Sequence, residues 1–204
     1  MRMEVHVHAS IPILEGVSKS QIESALEAWL DYLDLDAIDE VKSLEPNEPG
    51  IQFDEANRIL EFCWTGEIGR SFEKVLERSL ALLGPYCEEA VEVDFTLYLD
   101  NGEDESRLLF VGPTALAIHE AQRRCMLEDI DAVLGRQFGK QQVDEALALV
   151  NDLFDRDWAD KKSRKTQERA FESYTVAPNR KNLPSTRTRS FPAVDADAFE
   201  GDSI

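Results

Sequence analysis

From Ala90 to Gly112 the chain keeps a two-residue rhythm. Val91, Val93, Phe95, Leu97 and Leu99 alternate with Glu92, Asp94, Thr96, Tyr98 and Asp100. A period of two marks a strand with one face on a core and the other in water. Asp100-Asn101-Gly102 breaks the pattern, and Arg107–Val111 supplies a second, shorter apolar run, so the stretch predicts a β-hairpin. The segments before it are patterned to share its sheet. Those after it are patterned as helices.

Met3, Val5, Val7 and Ala9 alternate with Glu4, His6, His8 and Ser10, which predicts a first strand ending at or before Pro12. Ser18 or Ser20 can cap the next helix, with Gln21 or Glu23 placed for a capping box. Ile22, Leu26, Trp29, Leu30 and Leu33 form that helix's apolar stripe. Residues 37–50 read as a loop around Pro46, Glu48, Pro49 and Gly50, although Val41 and Leu44 fit a strand. Ile51–Phe53 and Ile59–Thr65 predict a hairpin, with Leu60, Phe62 and Trp64 inward and Glu61, Cys63 and Thr65 outward. Ile68, Phe72, Val75, Leu76, Ser79, Leu80 and Leu83 mark a second helix, stopped by Gly84-Pro85.

The resulting order is strand, helix, strand, strand, helix, strand, then one strand more. That is an α+β fold, the ferredoxin-like βαββαβ sheet with an extra edge strand. Beyond Pro113, Ile118, Ala121, Cys125, Met126, Ile130, Val133 and Leu134 line one helix. After the glycines at 135 and 139, Val143, Ala146, Leu147, Val150, Leu153 and Phe154 line another, giving a C-terminal αα-hairpin. The expected layout is a sheet domain over 1–112, the helical hairpin over 113–175 and an extended tail over 176–204. At 204 residues and 43% hydrophobic content, the chain can bury one sizeable core.

Charge narrows the function classes. There are 41 acids against 22 bases, a net −19. Lys161–Ser190 holds nine bases and two acids, and the last fourteen residues hold four acids and no base, so residues 1–160 carry −22. Such a body repels nucleic acid and anionic membranes and attracts basic protein surfaces. Cys63, Cys87 and Cys125 are odd in number and widely spaced, as expected of thiols in a reducing, cytoplasmic setting. No apolar run is long enough to cross a membrane, and the chain is expected to be soluble and unprocessed.

Three groups of residues bear on chemistry. On the outward sheet face, His6, His8, Glu61, Cys63, Glu92 and Asp94 are chemically sufficient for a Zn²⁺ or Mn²⁺ site, against the simpler reading of a wet or covered strand face. His119 and Cys125 lie six apart on different helical faces, and Cys125 belongs to the apolar stripe, so core packing outweighs a Cys–His nucleophile. Glu23, Glu27, Asp31 and Asp34 make an acidic row on the first helix, and Asp144, Asp152 and Asp155 make a second row near the end. Neighbours in such rows stand about 5–6 Å apart, comparable to the phosphate spacing of a nucleic acid. The acidic turn at 100–105 has its glycine at the wrong offset for a calcium loop.

The sequence has no phosphate-binding loop, dinucleotide fingerprint, nucleophile elbow, HExxH or paired CxxC. No cofactor is implied. The leading expectation is a non-enzymatic acidic protein that binds a basic protein surface, in the manner of a nucleic-acid mimic that inhibits a nucleic-acid-binding factor. The alternative is an assembly subunit whose arm, bearing Lys161, Lys162, Arg164, Lys165, Arg180, Lys181, Arg187 and Arg189, clasps a neighbouring copy. A third class is a metal- or ligand-binding domain using the outward sheet face.

Overall fold

The computed structural model describes residues 3–99 and 104–174, with side chains as far as Lys162. The chain forms two units, one ending at Asp160 and one beginning at Lys161. The first holds a five-stranded antiparallel sheet. Strand β1 (Met3–Pro12) runs through its middle, paired with β3 (Ile59–Ile68) on one side and β4 (Val91–Tyr98) on the other. Strand β2 (Gly50–Asp54) lies outside β3 and β5 (Glu105–Val111) outside β4, so the order is β2-β3-β1-β4-β5. The β4–β5 register runs from Val91 opposite Val111 to Leu97 opposite Glu105. The connecting turn lies outside the described residues.

Register decides what each face carries. Val7 stands between Trp64 and Phe95, and Val5 between Gly66 and Leu97, so the odd positions of β1 join one apolar face. Helix α1 (Lys19–Leu33) and helix α2 (Phe72–Leu83) supply its covering layer. Ser18 caps α1 in a full capping box with Gln21, and Ile22, Ala25, Leu26, Trp29 and Leu30 are buried beneath it. Trp29 is the hub. Its ring meets Phe62, Trp64 and Phe72 edge-on at centroid distances of 5.2, 5.6 and 5.7 Å, the geometry that aromatic quadrupoles favour. Trp64 in turn lies over the backbone of Gly66, where a Cβ would meet the indole ring at 2.1 Å.

One expected boundary moves and one expected face assignment changes. Ile68 ends β3 instead of opening α2, because β3 continues to pair with β1 as far as Met3 opposite Ile68. Thr65, expected on the wet face, is only 3% exposed because residues 43–48 cover it. Pairing with β2 stops at Gly50 opposite Cys63, which leaves the upper edge of β3 open. The preceding segment closes that edge. Ile38 and Val41 pack into the core around a 3-10 turn at Ile38–Glu40. Leu44 N–H then donates to Thr65 O (2.8 Å), Thr65 N–H to Ser43 Oγ (2.8 Å) and Trp64 Nε1–H to Lys42 O (3.1 Å). The backbone groups of an unpaired strand edge are thereby satisfied. Gly50 makes the turn into β2 at φ +87°, with Val41 O only 1.9 Å from where a Cβ would stand.

Helix α3 (Ala115–Leu134), capped by Thr114, and helix α4 (Lys140–Tyr174) follow β5. Helix α3 lies against β4 and β5. The two helices meet through His119, whose ring sits 5.3 Å from Phe154 and 4.8 Å from Trp158, and through Arg123, which bonds Asn151 and Asp155. No helix among the described residues is long and apolar enough to cross a membrane.

Because Trp29 joins α1, β3 and α2, Trp29→Ala is expected to lose about 3–5 kcal/mol of stability, the usual cost of emptying a large aromatic site. Urea unfolding followed by circular dichroism measures it. A loss below about 1 kcal/mol, the scale of an ordinary point mutation, would remove Trp29 from the centre of the fold.

Candidate functional site

The face of the sheet turned away from α1 and α2 divides into a covered end and an open end. At the covered end Glu92 contacts Cys125 of α3. At the open end His6, His8, Asp94, Thr96, Ser106 and Leu108 line a shallow basin of about 490 Å³.

His6 and His8 stand side by side because they are two apart on one strand. Their rings are nearly parallel, at 11°, with centroids 6.3 Å apart. Their environments differ. His8 is 55% exposed in its side chain and faces Asp94 at 3.8 Å, whereas His6, at 23%, is held from the loop side. His6 Nδ1 lies 3.2 Å from Glu48 Oε1 and 3.0 Å from Thr65 Oγ1. Ser43 Oγ–H donates to the other carboxylate oxygen of Glu48. Burial pushes the Glu48 carboxyl up, but hydrogen bonds from Ser43 and Thr65, helped by the neighbouring imidazoles of His6 and His8, outweigh it. The group is held below its ordinary range. Every member of this network faces another member, so it fastens the 42–48 segment to the sheet instead of presenting a free base.

The six side chains proposed as metal ligands are thus divided. His6 turns to Glu48 and Thr65, His8 pairs with Asp94, and Glu92 engages Cys125. Glu61 and Cys63 remain on β3, where Glu48 and Glu61 help raise the Cys63 thiol after desolvation. Among the described residues no group of three or more His, Cys, Asp and Glu side chains is placed to hold one metal ion. Nothing in the residue pattern ties Glu48 and Ser43 to His6. Their segment reads only as a loop, and the partnership depends on the contact of Ser43 and Leu44 with the edge of β3 at Thr65.

His119 and Cys125 have structural places. His119 is buried between α3 and α4, with Nε2 3.2 Å from Phe154 O. Cys125 is pushed up to about 11, first by burial and then by Glu92, and Cys87 to about 12 by burial. Thiolates are scarce at either position near neutral pH.

The acidic rows are split as well. Glu23 is occupied, 4.0 Å from Lys19 and accepting from Ile38 N–H at 3.4 Å. Glu27, Asp31 and Asp34 are exposed and form no ion pair among the described residues. Glu27 and Asp31 line a groove whose other wall carries Lys74 and Arg78 of α2. On α4, Asp152 pairs with Arg156 at 2.6 Å and Asp155 with Arg123 at 3.0 Å, while Asp144 is exposed. Lys161 and Lys162 are exposed and engaged with partners. The side chains of Arg164 and Lys165, and Arg180, Lys181, Arg187 and Arg189 altogether, lie outside the described residues.

A family model matches residues 3–155, which takes in the whole sheet, α3 and the first half of α4. The chain belongs to DUF6806, a family of unknown function. The matched region contains both histidines, Glu48 and both acidic rows, and stops short of the basic segment that begins at Lys161. No curated protein and no solved structure matches the chain.

Two outcomes test this geometry. Glu48 is depressed in the folded state, so its contribution to stability is complete above the unfolded value of about 4.5 and disappears as pH falls through the folded value. The stability gap between wild type and Glu48→Gln, from urea titrations at several pH values, is therefore expected to close as pH falls below about 4.5. A gap that widens on acidification contradicts the network. Thiol alkylation at pH 8 is expected to leave Cys87 unmodified until the protein unfolds, as peptide mapping can follow. Ready labelling of Cys87 in the native protein contradicts its burial.

Proposed function

We propose that the chain is a non-enzymatic acidic interaction module that seats a basic protein surface, presenting carboxylates at the spacing of a nucleic-acid backbone. The carrying observation is the run Glu27, Asp31 and Asp34, exposed along one side of α1 and without ion pairs among the described residues. It sits on a body of net charge −22 over residues 1–160. Helical spacing of three and four residues sets these groups about 5–6 Å apart. Because α1 is anchored by Trp29 and its capping box, the row is rigid before any partner arrives, which lowers the ordering cost of binding.

Lys74 and Arg78 bound the row on the α2 side. A partner's basic groups therefore fit along the outer side of α1, away from the groove. The open-face network of His6, Glu48 and Thr65 supports this reading indirectly, since those groups are engaged with one another. The scaffold of the proposal is a ferredoxin-like sheet with β5 as added edge strand and α3–α4 as a C-terminal helical hairpin. The strand order β2-β3-β1-β4-β5 and the His119 and Arg123 contacts support it. Three free cysteines support a reducing compartment.

Affinity capture from lysate with mass spectrometry tests the function. Wild type is expected to retain basic proteins at low salt and to release them as salt rises. The variant Glu27→Lys/Asp31→Lys/Asp34→Asn keeps an Asn at the left-handed C-cap of α1, where φ is 59°. It is expected to lose at least about 90% of the captured material, as removal of several aligned charge contacts would produce. Equal capture by the variant and wild type overturns the proposal.

A further inference from the structure

We propose that the free edge of β5 is a docking site for an extended segment of another protein, added antiparallel as a further strand. The segment carries a large apolar side chain and, two residues later, a base. The starting observation is an edge without the usual protection. Strand β5 pairs with β4, and its outward N–H and C=O groups have no partner among the described residues. Proteins blunt such edges with charges, proline or bulges. Leu108-Leu109-Phe110-Val111 holds no charge and no proline, and its register with β4 runs without a bulge. Leu108 is 38% exposed, and Leu109 and Phe110 are half-buried.

A groove of about 460 Å³ opens beside that edge, between β5, α2 and the start of α3. Its walls include Leu80 and Ala81 of α2, Leu109 and Phe110 of β5, and Ile118 of α3. Both ends are fixed. Arg107 of β5 bonds Glu73 of α2 at one end. At the other, Gly84 and Gly112 approach so closely that a Cβ on Gly84 would stand 2.6 Å from Gly112 O. Helix α2 and β5 therefore run side by side in the same direction. The groove keeps its shape before a partner arrives, which lowers the ordering cost of binding.

Charge selects the occupant. Glu73 is neutralised by Arg107, but Glu77, one turn further along the same wall, is exposed and forms no ion pair among the described residues. The body carries −22 over residues 1–160, so it draws in a basic segment and repels an anionic one. A second copy would bring its own −22 to this edge, which the same repulsion opposes. Spacing sets the pattern. Glu77 stands about 4.5–6 Å along α2 from Leu80 and Ala81. Side chains on one face of an added strand repeat at about 6.4–6.8 Å. One such position meets Leu80, Ala81 and Leu109, and the next meets Glu77. In a strand antiparallel to β5, the apolar residue comes first and the base follows two positions later. Backbone pairing supplies affinity and the groove selects the side chains, as in other cases of strand addition.

Titration calorimetry and amide hydrogen exchange on the full chain test the assignment, with a Thr-rich peptide carrying a central Leu-Thr-Lys as the probe. Saturable binding is expected, with exchange slowed at the β5 amides. Replacing the peptide's Lys by Glu is expected to weaken binding by about tenfold or more, as like charges meeting at Glu77 require. Glu77→Lys in the protein is expected to reverse that preference. Ala81→Arg places a base four residues after Glu77 on the same wall. It is expected to abolish binding with an unchanged circular dichroism spectrum. N-methylation of the peptide amides keeps its charge, removes the donors that strand pairing needs, and is expected to abolish binding too. Glu27→Lys/Asp31→Lys/Asp34→Asn is expected to bind the peptide as wild type does, and loss of binding there assigns the peptide to α1 and overturns the proposal. No saturable binding up to millimolar peptide overturns it, as does equal binding of the N-methylated peptide. Protection on β2 and not on β5 has the same consequence. Protection of β5 that rises with protein concentration in the absence of peptide gives the edge to a second copy and overturns it as well.

Discussion

The edge-on packing of Trp29 against Phe62, Trp64 and Phe72 ties one covering helix to the centre of the sheet and to the second helix. It is obtained at a cost, since Trp29 Nε1 is buried with no hydrogen-bond partner among the described residues, a loss worth about 1–3 kcal/mol. The dependence continues outward from there. Trp64, fixed on one side by Trp29, donates its own N–H to Lys42 O. That bond helps place Ser43 and Glu48 against Thr65 and His6 on the opposite face. A contact in the core therefore sets the position of the most organised polar cluster on the surface.

Much of this was legible from the residues alone, for a physical reason. Strands and helices that bury one side must repeat at two or at 3.6 residues, and the runs at 91–97 and 72–83 do so without interruption. The segment at 37–50 was not legible. Its burial of Ile38 and Val41 and its stitching to Thr65 arise from an unpaired edge elsewhere in the chain. The end of β3 was misjudged for the same kind of reason, since Ile68 fits a helical stripe in sequence but is claimed by pairing with Met3. The acidic rows were visible as patterns. Which carboxylates are occupied depends on Lys19, Arg123 and Arg156, and on the backbone at Ile38, a matter of tertiary placement.

The surface charge is organised by internal pairing. Arg107 bonds Glu73, and Lys19 bonds Asp39, so several of the few bases are occupied within the body. Exposed ion pairs of this type add little stability, yet they determine where negative potential is left over. In this body the surplus includes the outer side of α1, where Glu27, Asp31 and Asp34 are exposed.

Gly50 gives the fold an uneven tolerance to change. Glu48 makes the hydrogen bonds, and a substitution there removes them while leaving the backbone path intact. Gly50 makes none through a side chain, yet its left-handed backbone and the carbonyl of Val41, 1.9 Å from an added Cβ, leave no room for any other residue. An alanine at 50 would push the strand start and the preceding segment apart, and Glu48, two residues upstream, would move with them. In a survey of random variants, the position without chemistry is the one expected to reject substitution more completely than the position that carries it.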